Sequence, residues 1–180
     1  MEDREKLEGR EQLMGTPNAQ YGAFLNLVGR VCLVVGGGRV AQRKIGKLLQ
    51  TQARVLVISP WLTKELEVWH SEGKIQWFNR NYRPGDVANV KPWLVFAATN
   101  DRAVNRQVWQ EAESCGRPVN VADDADLCTF TVPASFQHEG FTVAISTSGV
   151  DPALAKRLRL TMETQIRAGR CRCFADIERT

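Results

Sequence analysis

Several residue types are scarce in this chain, and each scarcity excludes something. Its 180 residues include only two histidines, His70 and His138. They do not stand at helix spacing from one another, so no dedicated transition-metal site is expected. The five cysteines (Cys32, Cys115, Cys128, Cys171, Cys173) are odd in number and scattered, which argues against a disulfide framework. Cys171 and Cys173 form a lone C-x-C, short of a structural zinc set, and read as free thiols. No apolar run approaches the roughly 18 residues of a membrane span. Residues 1–20 mix Glu2, Asp3, Glu5, Glu8 and Glu11 with Arg4, Lys6 and Arg10, and lack the apolar stretch of a secretory signal. A cytoplasmic location without membrane attachment is the expectation. The net charge of +4 is small and no nucleic-acid motif accompanies it, so nucleic acid is not an expected partner. The mild basicity favours a small anionic one.

What is present is ordinary globular material, 43% hydrophobic and 24% charged. The length suits one domain with a small appendage. Residues 1–20 read as a polar, disordered leader. Short apolar runs then alternate with helical periodicity. The runs are Val31–Val35, Arg54–Ile58, Lys74–Phe78, Trp93–Ala97 and Pro118–Val121. Helices are predicted over Arg39–Thr51, Leu62–Ser71 and Asp101–Ser114. Strands alternating with helices, with cores apolar throughout, imply a parallel sheet covered on both faces. Beyond Asp124 the pattern changes. Cys128–Pro133 and Phe141–Ser146 read as an antiparallel strand pair, followed by an amphipathic helix over Pro152–Arg167 with Asp151 as N-cap. The expected architecture is α/β: a Rossmann-type doubly wound parallel sheet over 21–124, then a small α+β dimerisation segment over 125–180. So short a second part is marginal alone and is expected to bury itself against a second copy.

Gly36-Gly37-Gly38-Arg39-Val40-Ala41 is G-x-G-x-x-A between a buried strand and a helix, the context the dinucleotide fingerprint requires. Gly36 permits the tight turn, Gly38 lets a pyrophosphate approach the backbone, and Ala41 keeps helix and sheet close. The second strand ends Val57-Ile-Ser-Pro-Trp61, without the acidic residue that holds a ribose. Ser59, or the backbone of Pro60 and Trp61, takes that place, and Arg39 and Arg43 keep NADP open. Thr99 and Asn100, after the fourth strand, either cap the next helix or face the cofactor. Asp123 ends the fifth strand as the candidate acid–base residue, with a turn or capping role as the alternative. Ser146-Thr-Ser-Gly149 before the last helix is either an anion site or a simple cap. Lys156, Arg157 and Arg159 line that helix as a solvated face or a basic wall.

Taken together, the segments 24–41, Ala97–Asn100, Asn120–Asp123, Phe130–Ala134, Val143–Gly149 and Pro152–Ala155 resemble the precorrin-2 dehydrogenase family of siroheme and cobalamin synthesis. The resemblance implies NAD-dependent oxidation of precorrin-2 to sirohydrochlorin by an intertwined homodimer. It leaves open the ferrochelatase activity that some members carry. It sets Gly36, Gly37, Gly38, Arg39 and Val40 on the cofactor loop, with Ser59, Pro60, Trp61 and Thr99 around the same cofactor. Asp123 matches the family's essential aspartate. Asn120, Ser146, Thr147, Ser148 and Gly149 fall on the tetrapyrrole side. A non-catalytic NAD(H)-sensing module and a chelatase without redox activity are the alternatives.

Overall fold

The computed structural model describes residues 20–122 and 124–170. They fall into two compact units, one over Phe24–Thr131, the other built from residues 20–23 and 132–170.

The first unit is a five-stranded parallel sheet. Its strands are β1 (Val31–Val35), β2 (Arg54–Ser59), β3 (Ile75–Asn79), β4 (Leu94–Ala97) and β5 (Val119–Val121). Their spatial order is β3-β2-β1-β4-β5, all parallel. Helices α1 (Arg39–Leu49), α2 (Lys64–Ser71), α3 (Asp86–Val90) and α4 (Arg102–Ser114) make the crossovers. The pleat explains the continuous apolar runs. Along β1, Cys32 and Val34 enter one buried cluster with Ala41, Ile45 and Leu66. Leu33 and Val35 enter a second with Val95, Val108 and Val119. Both faces are covered, so no position of the strand favours a polar residue. Each such fully buried aliphatic side chain contributes on the order of 2 kcal/mol.

The order of strands reverses between β1 and β4, and there the loops leaving both strands meet. In open sheets of this kind, ligands bind at that reversal, outside the carboxyl ends of the strands. Among the described residues no helix is long and apolar enough to cross a membrane.

The second unit is a hairpin, β6 (Ala134–His138) with β7 (Phe141–Ile145), and helix α5 (Pro152–Arg167). Glu139 and Gly140 join the strands, with φ of +43° and +85°. Positive φ at both central residues is the geometry that matches strand twist in a two-residue turn. Asp151 caps α5, its Oδ1 accepting from Leu154 N at 2.8 Å.

One expectation is corrected. The strand read at Cys128–Pro133 is a loop, and the first strand of the pair begins only at Ala134. The reason lies in Thr129. Its N–H donates to Val119 O at 2.9 Å, and its hydroxyl accepts from Val119 N at 2.7 Å. The loop thereby closes part of the exposed edge of β5, a common way to blunt an unpaired strand. Thr129 belongs to the first unit, which runs to Thr131. Helix α3 has no sequence counterpart in the periodicity. Its two caps, Gly85 and Lys91, are both left-handed.

Ahead of α3, Arg80 grips Asp86 through two hydrogen bonds of 2.8 and 2.7 Å, and Arg83 N donates to the same carboxylate at 2.8 Å. Burial alone would raise the Asp86 carboxyl. The bonds from Arg80 and the Arg83 N–H outweigh it and hold the group below the usual carboxylate range. A depressed folded value contributes stability above the unfolded value, and that contribution disappears as pH falls through the folded one. Asp86→Asn is expected to lower unfolding free energy by about 2 kcal/mol near neutrality. Urea titrations should show the gap between wild type and variant closing in acid.

Candidate active site

The turn after β1 is the tightest place in the first unit. Gly36 has φ of +122°, and a Cβ built there would lie 2.3 Å from Ala98 O in the loop after β4. A Cβ on Gly37 would lie 2.0 Å from Trp61 O in the loop after β2. Hydrogen bonds lock the same contacts: Gly36 N to Ile58 O at 2.9 Å, and Thr63 N to Gly37 O at 3.0 Å. Gly36 and Gly37 are therefore required by the protein's own backbone. Gly38 differs. A Cβ there would meet only the Trp61 ring, at 3.5 Å, an ordinary contact. Nothing in the unit needs Gly38 to lack a side chain, and the space above it lies open.

Helix α1 begins at that open space. Gly38 is its N-cap, no side chain accepts from its first turn, and no acidic residue stands there. The contrast with the other long helices is plain. Thr63, Asp101 and Asp151 cap α2, α4 and α5 with their side chains. An uncapped first turn leaves N–H groups and the positive end of the helix dipole available to an anion. Arg39, at the first position of α1, is exposed, and Val40 is half-buried. The Trp61 indole is 57% exposed and flanks Gly38, giving a flat apolar wall beside the turn. Open backbone, free donors and an aromatic wall fit the pyrophosphate and ribose of a dinucleotide.

The other predicted residues vary in how free they are. Ser59 is buried, and its hydroxyl donates to Trp61 O at 2.6 Å, holding the loop that carries Pro60 and Trp61. Trp77 Nε1 donates to Ser59 O at 2.9 Å, fixing the same loop from below. Thr99 sits in the loop after β4. Its hydroxyl donates to Asn105 Oδ1 at 2.7 Å and accepts from Asp101 N at 3.1 Å. Asn120 is buried at the end of the sheet, with both amide ends engaged. Its Oδ1 accepts from Lys44 Nζ at 2.5 Å, and its Nδ2 donates to Phe130 O at 3.0 Å. Lys44 also lies 5.5 Å from the centre of the Phe96 ring. Asp123 lies outside the described residues, as do Cys171, Cys173 and the leader over 1–19.

In the second unit, the turn between β7 and α5 is tied internally. Ser146 Oγ accepts from Ser148 N at 3.1 Å and donates to Gln20 Oε1 at 3.3 Å. Thr147 Oγ1 accepts from Asp151 N at 3.2 Å. Ser148 and Gly149 both take left-handed conformations, at φ of +54° and +85°. Of the basic residues on α5, Arg159 is paired with Glu163 at 2.5 Å. Lys156 and Arg157 are exposed.

Three features escaped the sequence reading. Asn105 is 5% exposed and fixes the loop after β4, accepting from Thr99 N at 3.1 Å and donating to Thr99 O at 3.1 Å. A polar residue inside the buried stripe Asn105, Val108, Ala112 was the available signal. Lys44 is the second. The third is Cys128, whose Sγ accepts from Val121 N at 3.2 Å and donates to Asp124 O at 3.2 Å. Burial pushes its thiol up, and burial likewise takes Cys32 on β1 up to about 11. Neither is a thiolate at neutral pH, so neither suits nucleophilic work. Among the described residues no group of three or more histidine, cysteine or acidic side chains is placed to hold a metal ion.

A family model described as putative NAD(P)-binding matches residues 23–134, almost the span of the first unit. Turn, sheet order and this match define a dinucleotide-binding α/β module. Siroheme synthase of Neisseria meningitidis serogroup C (strain 053442) is 45% identical over 140 residues, covering 78% of this chain and 29% of the relative. Siroheme synthase of Methylobacillus flagellatus is 42% identical over 154 residues, covering 84% of this chain and 32% of the relative. The chain thus spans under a third of these curated relatives. The solved structure of SirC, a precorrin-2 dehydrogenase, superposes with a TM-score of 0.72 at 33% identity, covering 81% of this chain and 71% of that one. This chain belongs to the precorrin-2 dehydrogenase family.

The three glycines separate in a direct test. Gly36→Ala and Gly37→Ala are each expected to cost about 2 kcal/mol or more of stability, since backbone must move. Gly38→Ala should unfold within about 1 kcal/mol of wild type yet bind NADH at least tenfold more weakly. Thermal melts and fluorescence titration with NADH read the two effects separately.

Proposed function

We propose that the chain oxidises precorrin-2 to sirohydrochlorin with NAD, in siroheme or cobalamin synthesis. The observation that carries the reading is the open, uncapped turn at Gly38, in a chain of the precorrin-2 dehydrogenase family. Gly36, Gly37 and Gly38 shape the turn. The first-turn N–H groups of Arg39 and Val40 meet the pyrophosphate, and Pro60 and Trp61, held by Ser59, flank the ribose. Thr99 borders the cofactor from the loop after β4. When bound, NAD supplies the acceptor for a hydride leaving a carbon of the macrocycle.

The chain's own task is the accompanying proton. Loss of a hydride and a proton from neighbouring atoms converts a single bond to a double bond, so a base must stand on the substrate side. Asp123 takes that role as general base. It follows β5 in a stretch braced by Cys128 on Val121 and Asp124, and by Ala122 N on Ala97 O at 2.8 Å. Asn120, within β5, is held by Lys44 and Phe130. Ser146, Thr147, Ser148 and Gly149, in the second unit, are further candidates for contact with the tetrapyrrole.

The working form is a homodimer, with a cytoplasmic location. Supporting the dimer, Leu154, Leu158 and Met162 stand at four-residue spacing along α5 and are all exposed, at 36%, 43% and 37%. A stripe of that kind marks a surface that another chain covers.

Precorrin-2 and NAD incubated with the purified chain should yield sirohydrochlorin, followed by its absorbance and by NADH formation. Asp123→Asn is expected to keep NADH affinity while turnover falls by about a hundredfold or more. Full activity in that variant rejects the base assignment. Tight NADH binding without turnover in the wild type identifies a sensor instead. Iron insertion into sirohydrochlorin without NAD, well above the spontaneous rate, identifies a chelatase.

A further inference from the structure

A cleft of about 320 Å³ opens at the carboxyl edge of β4 and β5, apart from the glycine turn. Val121, Ala122 and Leu127 form its apolar side, and Arg102, Asn105 and Arg106 of α4 form its polar side. Asp124 stands at its margin. Asn105 is turned inward and used by Thr99, so the free polar groups facing the cleft are the two guanidiniums and the Asp124 carboxylate.

The two arginines are placed against local preference. Arg102 is the first residue of α4, where the helix dipole disfavours a cation, and no acidic residue stands in that first turn. Arg106 lies one turn further on, so two like charges share one face at i,i+4, itself unfavourable. The nearby Asp101 carboxylate is committed to the N–H groups of Ala103 and Val104. No described residue forms an ion pair or side-chain hydrogen bond with either guanidinium. Other arginines divide: Arg80 pairs with Asp86, and Arg159 and Arg167 with Glu163, whereas Arg39, Arg54 and Arg157 likewise have no acidic partner among the described residues; Arg102 and Arg106 are set apart by lining one cleft together. Two like charges that oppose the helix dipole and line one cleft, with no ion pair among the described residues, present a cationic wall suited to an anion from outside.

We propose that Arg102 and Arg106 bind carboxylate arms of the macrocyclic substrate and so set its orientation against the base and the cofactor. The inference rests on the function proposed above. Guanidiniums suit carboxylates because two parallel N–H groups meet two oxygens. The cleft volume sits at the small end of the roughly 300–1,000 Å³ range of ligand pockets, enough for side arms and too little for a tetrapyrrole ring. The apolar floor of Val121, Ala122 and Leu127 takes the methylenes of an arm, and the arginines take its end.

The test uses the full chain as Arg102→Gln, Arg106→Gln, the double variant, and Arg106→Lys. The expected result is a KM for precorrin-2 raised about tenfold by each single glutamine change, as for loss of a charged hydrogen bond, with NADH affinity unchanged. Sirohydrochlorin binding, followed by absorbance titration without cofactor, should weaken in parallel. The lysine variant should fall in between, keeping charge but losing the paired N–H geometry. The salt dependence of kcat/KM should flatten in the double variant. Weakened NADH binding with an unaltered KM for precorrin-2 overturns the proposal and hands the arginines to the cofactor. Unchanged values for both ligands overturn it too, while leaving the dehydrogenase reading intact. A wild-type chain that fails to oxidise precorrin-2 overturns the dehydrogenase reading and this proposal with it.

Discussion

Everything in the first unit turns on how closely three loops approach one another. The loop after β1 runs so near the loops after β4 and β2 that Gly36 and Gly37 have no room for one more carbon. That closeness follows from the sheet order. Strand β1 lies between β2 and β4, and its register with both is continuous from Cys32 to Val35. Loops leaving three adjacent parallel strands at the same end must crowd. The crowding drives the chain out over Gly38, the one place along the turn with no neighbouring backbone in the way. The open turn suited to a dinucleotide is a by-product of packing, and the uncapped helix that follows leaves its N–H groups available.

Much of this architecture was legible beforehand, for a specific reason. Strands buried on both faces read as unbroken apolar runs, and β1, β2 and β4 are such runs. Helix α1 shows its buried stripe at Ala41, Ile45 and Leu48. The misreading of Cys128–Pro133 has an equally specific cause. Thr129 does pair with β5 through backbone and hydroxyl, but for one residue only, so local composition resembles a strand where a single edge contact exists. Helix α3 is too short to show a period, and its ends are set by left-handed backbone at Gly85 and Lys91.

At the site, residue types were visible and their employment was not. In the fingerprint Gly37 is the variable position and Gly38 a fixed one, yet Gly37 is demanded by Trp61 O and Gly38 by nothing in the first unit. Ser59, Thr99 and Asn120 all carry groups able to meet a ligand, and all three spend them on neighbouring loops. Whether a hydroxyl is spent internally depends on which loop the fold brings beside it, and spacing along the chain does not carry that information. The arginines of α4 were hidden for a related reason. Their charge is commonplace, and only their shared place along one cleft distinguishes them.

Asn105 has a mechanical consequence. Its carboxamide grips the N–H, carbonyl and hydroxyl of Thr99, so the first turns of α4 and the loop after β4 behave as one stiff piece. Arg102 and Arg106 ride on that piece, as does the rim that faces the glycine turn. The distance between whatever the arginines grasp and whatever rests on the rim is therefore a property of the empty protein. Two molecules arriving separately are gauged against a ruler already cut to length, and little ordering remains to be done when they meet.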